Sequence, residues 1–212
     1  MTWTDQAWTA ATSIFEAIVA HPFIIALTDG TLDREKFLFY IAQDSLYLDD
    51  FGKILAALAI KNQNRAEVED LLKFAAETIQ VEKELHRTFG VAEAAAPTPS
   101  NLLYTSYLHR LLAASSLETA LAGTLPCFWI YQKVGERLQA RSRPGNPYQS
   151  WIDAYGGEEY ARSVRTARAM ADRLAAAVGE AGRDAMTAAF VLASKMEWMF
   201  WDAAWRLETW PV

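Results

Sequence analysis

Three side chains that can do chemistry fall on the apolar faces of three predicted helices: Asp44, Cys127 and Glu197. Each occupies a step where the three- and four-residue spacing of its apolar neighbours would place another core side chain. An inward carboxylate is costly if it stays ionised and unpaired, so it is either satisfied by donors or kept for chemistry. A buried cysteine taken alone is usually an inert small hydrophobe. The coincidence of all three favours a nucleophile accompanied by two acid–base groups.

Cys127 is the only cysteine, and its thiol must become a thiolate before it can attack. The reference pKa of a thiol, about 8.5, means that this needs help near neutral pH. Pro126 precedes Cys127 and should kink the helix, exposing backbone groups that could orient a ligand or a water molecule.

Tyrosines accompany these residues. Tyr47 lies one turn beyond Asp44, and Tyr131 lies one turn beyond Cys127, so each shares a face with its reactive neighbour. Tyr104 and Tyr107 are predicted to point toward the interior from a further helix. Hydroxyls beside acids and a thiol, among flat rings, suit a planar heterocycle with nitrogen at its edge; core packing with satisfied hydroxyls is the alternative.

Other chemistries have weaker support. The three histidines form no Glu-x-x-His pair of the helical di-metal type, so we expect no metal site. Gly-rich phosphate loops and a Gly-x-Ser-x-Gly elbow are also absent from the sequence.

Composition predicts one packed domain over residues 1–212, because 52% of the residues are apolar and 22% are charged. A net charge of -6 with no basic run argues against a nucleic-acid partner. The single cysteine and the lack of a basic-then-apolar leader favour the cytoplasm. No apolar run approaches the roughly 18 residues that span a bilayer, so we expect no membrane segment.

The pattern of apolar spacing and sparse Gly and Pro predicts an all-α fold. Asp33, Asn64, either Ser100 or Asn101, and Ser115 with Glu118 are the predicted caps of successive helices. The first helix stops before His21-Pro22, and a turn at 29–31 precedes the next. The predicted helices cover about 4–20, 33–60, 64–90, 100 onward, 115 onward, 148–155, 158–178 and 184–207.

A series of short motifs recurs in a fixed order along nearly the whole chain. They are HPF from residue 21, DGTL from 29, YIAQDSLYL from 40, YTS from 104, LPCFWIY from 125, YQSWIDAYGG from 148 and EWMFW from 197. With these motifs the chain resembles the TenA family, also called thiaminase II or aminopyrimidine aminohydrolase. The resemblance implies the haem oxygenase-like helical fold.

The resemblance also implies a role for each matching residue. Cys127, in the branch of the family with a Pro-Cys motif, adds to an electron-poor carbon of a 4-aminopyrimidine. Glu197 hydrogen-bonds or protonates a ring nitrogen, and Asp44 binds the amino group. The pocket is lined by Tyr47, Tyr104, Tyr131 and Tyr155.

The implied reaction belongs to thiamin salvage: hydrolysis of 4-amino-5-aminomethyl-2-methylpyrimidine to the hydroxymethyl compound, with thiamin as a second candidate substrate. The resemblance implies no metal or organic cofactor, and it implies a homotetramer. Leu46 departs from the family, whose members often carry an aromatic residue there, so the substrate preference stays open.

Two further function classes remain as alternatives. The fold alone is compatible with an oxidase that uses haem or two metal ions. The same pocket could also belong to a regulatory protein that binds a pyrimidine without turning it over.

Overall fold

Helices joined by short loops account for the fold. The computed structural model describes residues 1–90 and 96–212, with all of their side chains except those of residues 81–86. Within these residues there is no strand, which confirms the all-α prediction. The helices are α1 (Trp3–Val19), α2 (Pro22–Asp29), α3 (Arg34–Lys61), α4 (Arg65–Phe89), α5 (Pro99–Ala114), α6 (Leu117–Gln139), α7 (Gln149–Gly156), α8 (Glu158–Ala176) and α9 (Glu180–Arg206).

The chain divides into two compact units, and both are discontinuous in sequence. Unit 1 comprises Met1–Leu32 and Glu118–Asp202, and unit 2 comprises Asp33–Leu117 and Ala203–Val212. Unit 1 therefore holds α1, α2, nearly all of α6, α7, α8 and most of α9. Unit 2 holds α3, α4, α5 and the end of α9.

In unit 1, α1 is held at its start by two acidic side chains. The Thr2 side chain and Asp5 form a capping box, which satisfies two backbone donors of the first turn. Asp172 of α8 accepts hydrogen bonds from the Thr4 N–H at 2.8 Å and from the Thr4 hydroxyl at 2.9 Å. This pair joins residues 168 positions apart in the sequence.

The helix α2 was not predicted, because His21-Pro22 was interpreted as a break. His21 instead caps α2: its Nδ1 accepts from the Phe23 N–H at 3.2 Å, and Pro22 occupies the first helical position. A proline fits there because its missing N–H would have had no partner in the helix. Gly30, with φ of 68°, ends the helix in the left-handed conformation that glycine adopts without strain.

In unit 2, α3 confirms the apolar face predicted for the helix that carries Asp44. Asp33 caps the helix as predicted, its carboxylate accepting from the Glu35 N–H at 2.8 Å. All the apolar residues assigned to this face are buried: Phe37, Tyr40, Ile41, Leu48, Phe51, Leu55 and Leu58. The Phe89 ring of α4 packs on the Phe37 ring in a T-shaped arrangement, with centroids 4.8 Å apart.

The predicted cap of α5, Ser100 or Asn101, was wrong by two or three residues. Thr98 is the cap, because Pro99 takes the first helical position and the Thr98 side chain accepts from the Asn101 N–H. Ser100 instead donates from its N–H and its hydroxyl to the Glu208 carboxylate, at 2.9 and 3.0 Å. The segment after α9 is thus fastened to the first turn of α5.

The other boundaries lie close to the predicted ones. Asn64 precedes α4 and accepts from the Ala66 N–H, the break at Gly156-Gly157 separates α7 from α8, and α9 starts four residues before the predicted Asp184. Helix α6 continues through Pro126. No single helix among the described residues is long and apolar enough to cross a membrane, although α1 and α2, bent by 60°, meet the length and composition test as a pair.

Candidate active site

Cys127 lies in the middle of α6, directly after Pro126, and is 8% exposed. Burial at this part of α6 extends beyond the predicted inner face, because every residue from Thr119 to Gln132 is buried. A helix that is buried on all sides lies within the core and has no solvent face. The Tyr160 hydroxyl of α8 donates a hydrogen bond to the Cys127 main-chain oxygen at 3.2 Å.

Tyr131, one turn after Cys127, belongs to a cluster of aromatic rings. Its ring centroid lies 5.0 Å from that of Tyr155, 5.2 Å from that of Trp201 and 6.3 Å from that of Trp151. Trp151 and Trp201 have no exposed surface and contact each other at 5.9 Å. Rings in contact on several sides restrict the rotamers of Tyr131 and Tyr155, so these two predicted residues are held beside each other.

Glu197 occupies the apolar face of α9, as the spacing predicts, and is 2% exposed. Trp201 follows it by one helical turn on the same face. Since the Trp201 ring contacts Tyr131, α9 presents both a carboxylate and a wall of the aromatic cluster to the interior of unit 1. Glu197, Cys127, Tyr131 and Tyr155 all belong to this unit.

The remaining predicted residues belong to unit 2. Asp44 is 2% exposed on α3, and Tyr47, one turn further along, is also buried. The Tyr47 ring contacts Tyr104 of α5 with centroids 4.9 Å apart, and stacks on Phe51 at 5.4 Å. Leu46, two residues after Asp44 on α3, is half-buried.

A buried amide network joins α3 to α5 next to Asp44. The Asn101 side-chain amide donates to the Gln43 main-chain oxygen at 2.8 Å and to Gln43 Oε1 at 3.0 Å. Gln43 also accepts from the Thr98 N–H and donates to the Ala96 carbonyl. Since Asn101 lies one turn before Tyr104, this network fixes the α5 turn that carries Tyr104 against the α3 turn that carries Asp44.

The two histidines whose side chains are described, His21 and His109, each lie beside an aspartate. His21 caps α2, and burial lowers its pKa, partly offset by the hydrogen bond between its Nε2 and Asp202. His109 is half-exposed and lies 3.6 Å from Asp50. Within the described part of the chain, no three His, Cys, Asp or Glu side chains are grouped so that they could hold a metal ion.

Sequence analysis missed Tyr160, Trp151 and Trp201 as neighbours of the predicted residues. Trp151 and Trp201 were within the motifs, but their contacts with Tyr131 join residues that are distant in sequence. Tyr160 follows the Gly156-Gly157 break, and nothing in its spacing indicates a partner on α6.

The all-helical fold is of the haem oxygenase-like class. The chain is similar to a domain with a heme oxygenase-like fold from Shewanella denitrificans, with a TM-score of 0.75 at 15% identity over 98% of this chain and 93% of that one. At that identity the likeness shows the fold alone.

Within this class, the chain belongs to the TENA/THI-4/PQQC family, whose model matches residues 8–207. It is 34% identical to the aminopyrimidine aminohydrolase of Bacillus subtilis over 99% of this chain and 92% of the relative. It is 37% identical to the thiamine biosynthesis multifunctional protein ThiED of Corynebacterium efficiens over 96% of this chain, which matches 28% of that longer protein. A TenA homologue from P. horikoshii has a TM-score of 0.87 at 30% identity, over 97% of this chain and 99% of the homologue.

Proposed function

We propose that this chain is a C–N hydrolase of thiamin salvage. Its substrate is 4-amino-5-aminomethyl-2-methylpyrimidine, which it converts to the 5-hydroxymethyl compound, with thiamin as a second substrate to be tested. The observation that carries the proposal is the buried thiol of Cys127, beside Pro126, in a chain that is 34% identical along nearly its whole length to an aminopyrimidine aminohydrolase.

The reaction begins when the Cys127 thiolate adds to an electron-poor ring carbon, forming a C–S bond and breaking one ring π bond. The displaced electron pair moves to a ring nitrogen, where Glu197 supplies a hydrogen bond or a proton. The aminomethyl group is in its ammonium form, so the electron-rich ring expels neutral ammonia from the exocyclic methylene, breaking the C–N bond. Water adds to that methylene and releases a proton to solvent. The thiolate then departs as the ring nitrogen returns its proton to Glu197, which restores the aromatic ring.

The other predicted residues bind and orient the ring. Asp44 accepts hydrogen bonds from the 4-amino group and helps to position the reacting atoms. Tyr47 and Tyr104 supply flat surfaces or hydroxyl donors to the heterocycle, as do Tyr131 and Tyr155. The mutual ring contacts within each pair support this role, because restrained rings lose little further entropy when a planar ligand binds.

We also propose that residues 1–212 act as one domain and that the protein is a cytoplasmic homotetramer that works without a metal or organic cofactor. The continuous family match over 8–207 includes residues of both units, which supports the single domain. The net charge of -6 supports a small-molecule substrate over nucleic acid. The tetramer rests on the family resemblance, and sedimentation velocity tests it.

The decisive experiment replaces Cys127 with serine and measures hydrolysis of the aminopyrimidine and of thiamin at matched concentrations. We expect Cys127→Ser to abolish both rates while the helical circular-dichroism signal persists. Thr119→Ser, a small change at another buried position of α6, is the matched control and should retain the wild-type rate. If Cys127→Ser still hydrolyses either substrate, the proposed mechanism is wrong.

Two further measurements address the alternative classes. Metal analysis and an absorption spectrum of the purified protein test the oxidase, since bound iron or haem would contradict a hydrolase that needs no cofactor. Calorimetry with the aminopyrimidine tests the regulatory protein, because binding without product formation would favour that class. The relatives named aminopyrimidine aminohydrolase favour hydrolysis over both.

A further inference from the structure

Tyr160 contacts the backbone of the proposed nucleophile from a different helix. It lies in the first turn of α8, and its hydroxyl donates to the Cys127 main-chain oxygen at 3.2 Å. Its ring meets the Tyr155 ring edge-on, with centroids 5.2 Å apart and an interplanar angle of 88°. Tyr155 in turn contacts Tyr131 at 5.0 Å. One side chain thus contacts both the turn that carries the thiol and the ring cluster beside it.

The turn of α6 at Cys127 lacks one of its ordinary restraints. Pro126 has no N–H, so the Ala122 carbonyl receives no helical hydrogen bond from that position. A helical turn that lacks such a bond bends and opens more readily than its neighbours. The Tyr160 hydroxyl supplies a side-chain bond to the carbonyl one residue after the proline, directly beyond the turn that lacks this helical bond.

We propose that Tyr160 is a positioning residue that holds the Cys127 turn for attack on the pyrimidine ring. The proposal rests on the proposed function, in which Cys127 is the nucleophile. Tyr160 acts through the main chain of Cys127 and through the Tyr155 ring, so it needs no contact with the reacting atoms. Small displacements of a nucleophile cost large factors in rate, because attack requires the reacting atoms to be close and aligned.

The test compares Tyr160→Phe with Tyr148→Phe. Tyr148 is the control, because its hydroxyl also donates to a main-chain oxygen, that of Leu32 at 2.7 Å, away from α6. Each variant therefore loses one hydrogen bond from a tyrosine to a carbonyl. We expect kcat of Y160F to fall about 2- to 12-fold with KM changed less than about twofold, and Y148F to keep the wild-type values.

Alkylation of the thiol gives a readout independent of turnover. Cys127 is the only cysteine, so iodoacetamide incorporated by the intact protein reports on this residue alone. A buried thiol is alkylated through local opening, and a loosened turn opens more often. We expect Y160F to be alkylated about 2- to 12-fold faster than wild type across pH 6–9, while Y148F matches wild type.

A fall in kcat together with faster alkylation, in Y160F but not in Y148F, supports the positioning role. Wild-type kcat and alkylation in Y160F, or equal changes in the two variants, overturns it. If Y160F does not fold, 4-aminophenylalanine and 4-methylphenylalanine at position 160 replace it. Both fill the volume of tyrosine, but only the amino group can donate, so only that variant should match wild type. Activity in Cys127→Ser would instead overturn the proposed function, and it is measured separately.

Discussion

The main chain of α6 at Gly135 touches the main chain of α7 at Tyr155 so closely that a side chain has no room between them. A Cβ atom on Gly135 would lie 2.5 Å from the Tyr155 carbonyl carbon and 2.6 Å from the nitrogen of Gly156. Gly135 lies two turns after Cys127 and one turn after Tyr131. The absence of a side chain at this step lets α7 bring Tyr155 against the same stretch of α6 that carries the thiol.

Replacing Gly135 with alanine should therefore displace Tyr155. Both clashing groups are backbone, so relief requires α6 and α7 to move apart, and we expect a loss of about 1–3 kcal/mol in the free energy of unfolding. Urea denaturation measures this loss, and the hydrolysis rate should fall with it. Gly179→Ala, where a Cβ would meet nothing within 4 Å, is the control. Equal stability of the two variants would show that α7 is not held against α6 in this way.

Neutralising the two proposed acid–base residues should lower the rate without unfolding the protein. We expect Glu197→Gln and Asp44→Asn each to reduce kcat by about 10²–10⁴-fold, the usual contribution of a positioned acid or base. Glu67→Gln is the matched control, since Glu67 is buried but binds the Asn62 amide at 2.6 Å at the start of α4. Near-wild-type kcat in both site variants would remove their catalytic assignment.

The His21 cap should make stability depend on pH. The Phe23 N–H can only donate, so Nδ1 of His21 must accept, and the ring proton lies on Nε2 facing Asp202 at 3.4 Å. Burial, the larger effect, lowers the pKa of His21, and the Asp202 hydrogen bond offsets this only in part. Protonation of Nδ1 would also break the cap.

Because the folded-state pKa is lowered, the stabilising contribution of His21 is complete above its unfolded pKa of about 6.5 and decreases as the pH falls below that value. His21→Asn, which retains a capping oxygen but does not titrate, should lose this dependence. Unfolding free energies at pH 7.5 and 5.5 measure it, with His109→Asn as the control for a half-exposed histidine. A parallel decline in wild type and His21→Asn would rule out the cap as its source.

The Asn101 amide should be needed for the stability of unit 2. Asn101→Ala removes two hydrogen bonds to Gln43 from a buried position, and we expect a cost of about 1–3 kcal/mol. Asn101→Asp should cost more, because its carboxylate oxygens would face two acceptors of Gln43. Thermal melts of the two variants rank them, and an aspartate variant as stable as wild type would contradict the role of the network.

Periodicity predicted the features that depend on one helix at a time. The apolar neighbours of Asp44 and Glu197 predict that both side chains point to the interior, and both are 2% exposed. The prediction succeeds because the 3.6-residue repeat of a helix fixes which side chains share a face. Periodicity was less informative about which side of α6 faces the interior. This helix is buried on all sides from Thr119 to Gln132, so it has no polar face to contrast with an inner one.

Features that depend on two helices, or on an unusual cap, could not be predicted from spacing. Histidine is an uncommon cap, so His21-Pro22 indicated a break although a proline in the first helical position also begins helices. The hydrogen bond of Tyr160 to Cys127 joins positions 33 residues apart. The lack of room for a side chain at Gly135 depends on the position of α7. Local patterns contain no information on such contacts.

Two hydrogen-bonded contacts between distant parts of the sequence have a consequence for biosynthesis: Glu208 binds the start of α5, and Asp172 binds the start of α1. A ribosome adds about 5–20 residues per second, so the Thr4 backbone waits roughly 8–34 s for the carboxylate that lies 168 positions later. Unit 2 waits in the same way, because the partner of Ser100 is 108 positions downstream. Neither unit can complete these contacts before Asp172 and Glu208 have been synthesised, so nascent chains that stall before residue 172 expose both unfinished cores to chaperones and proteases.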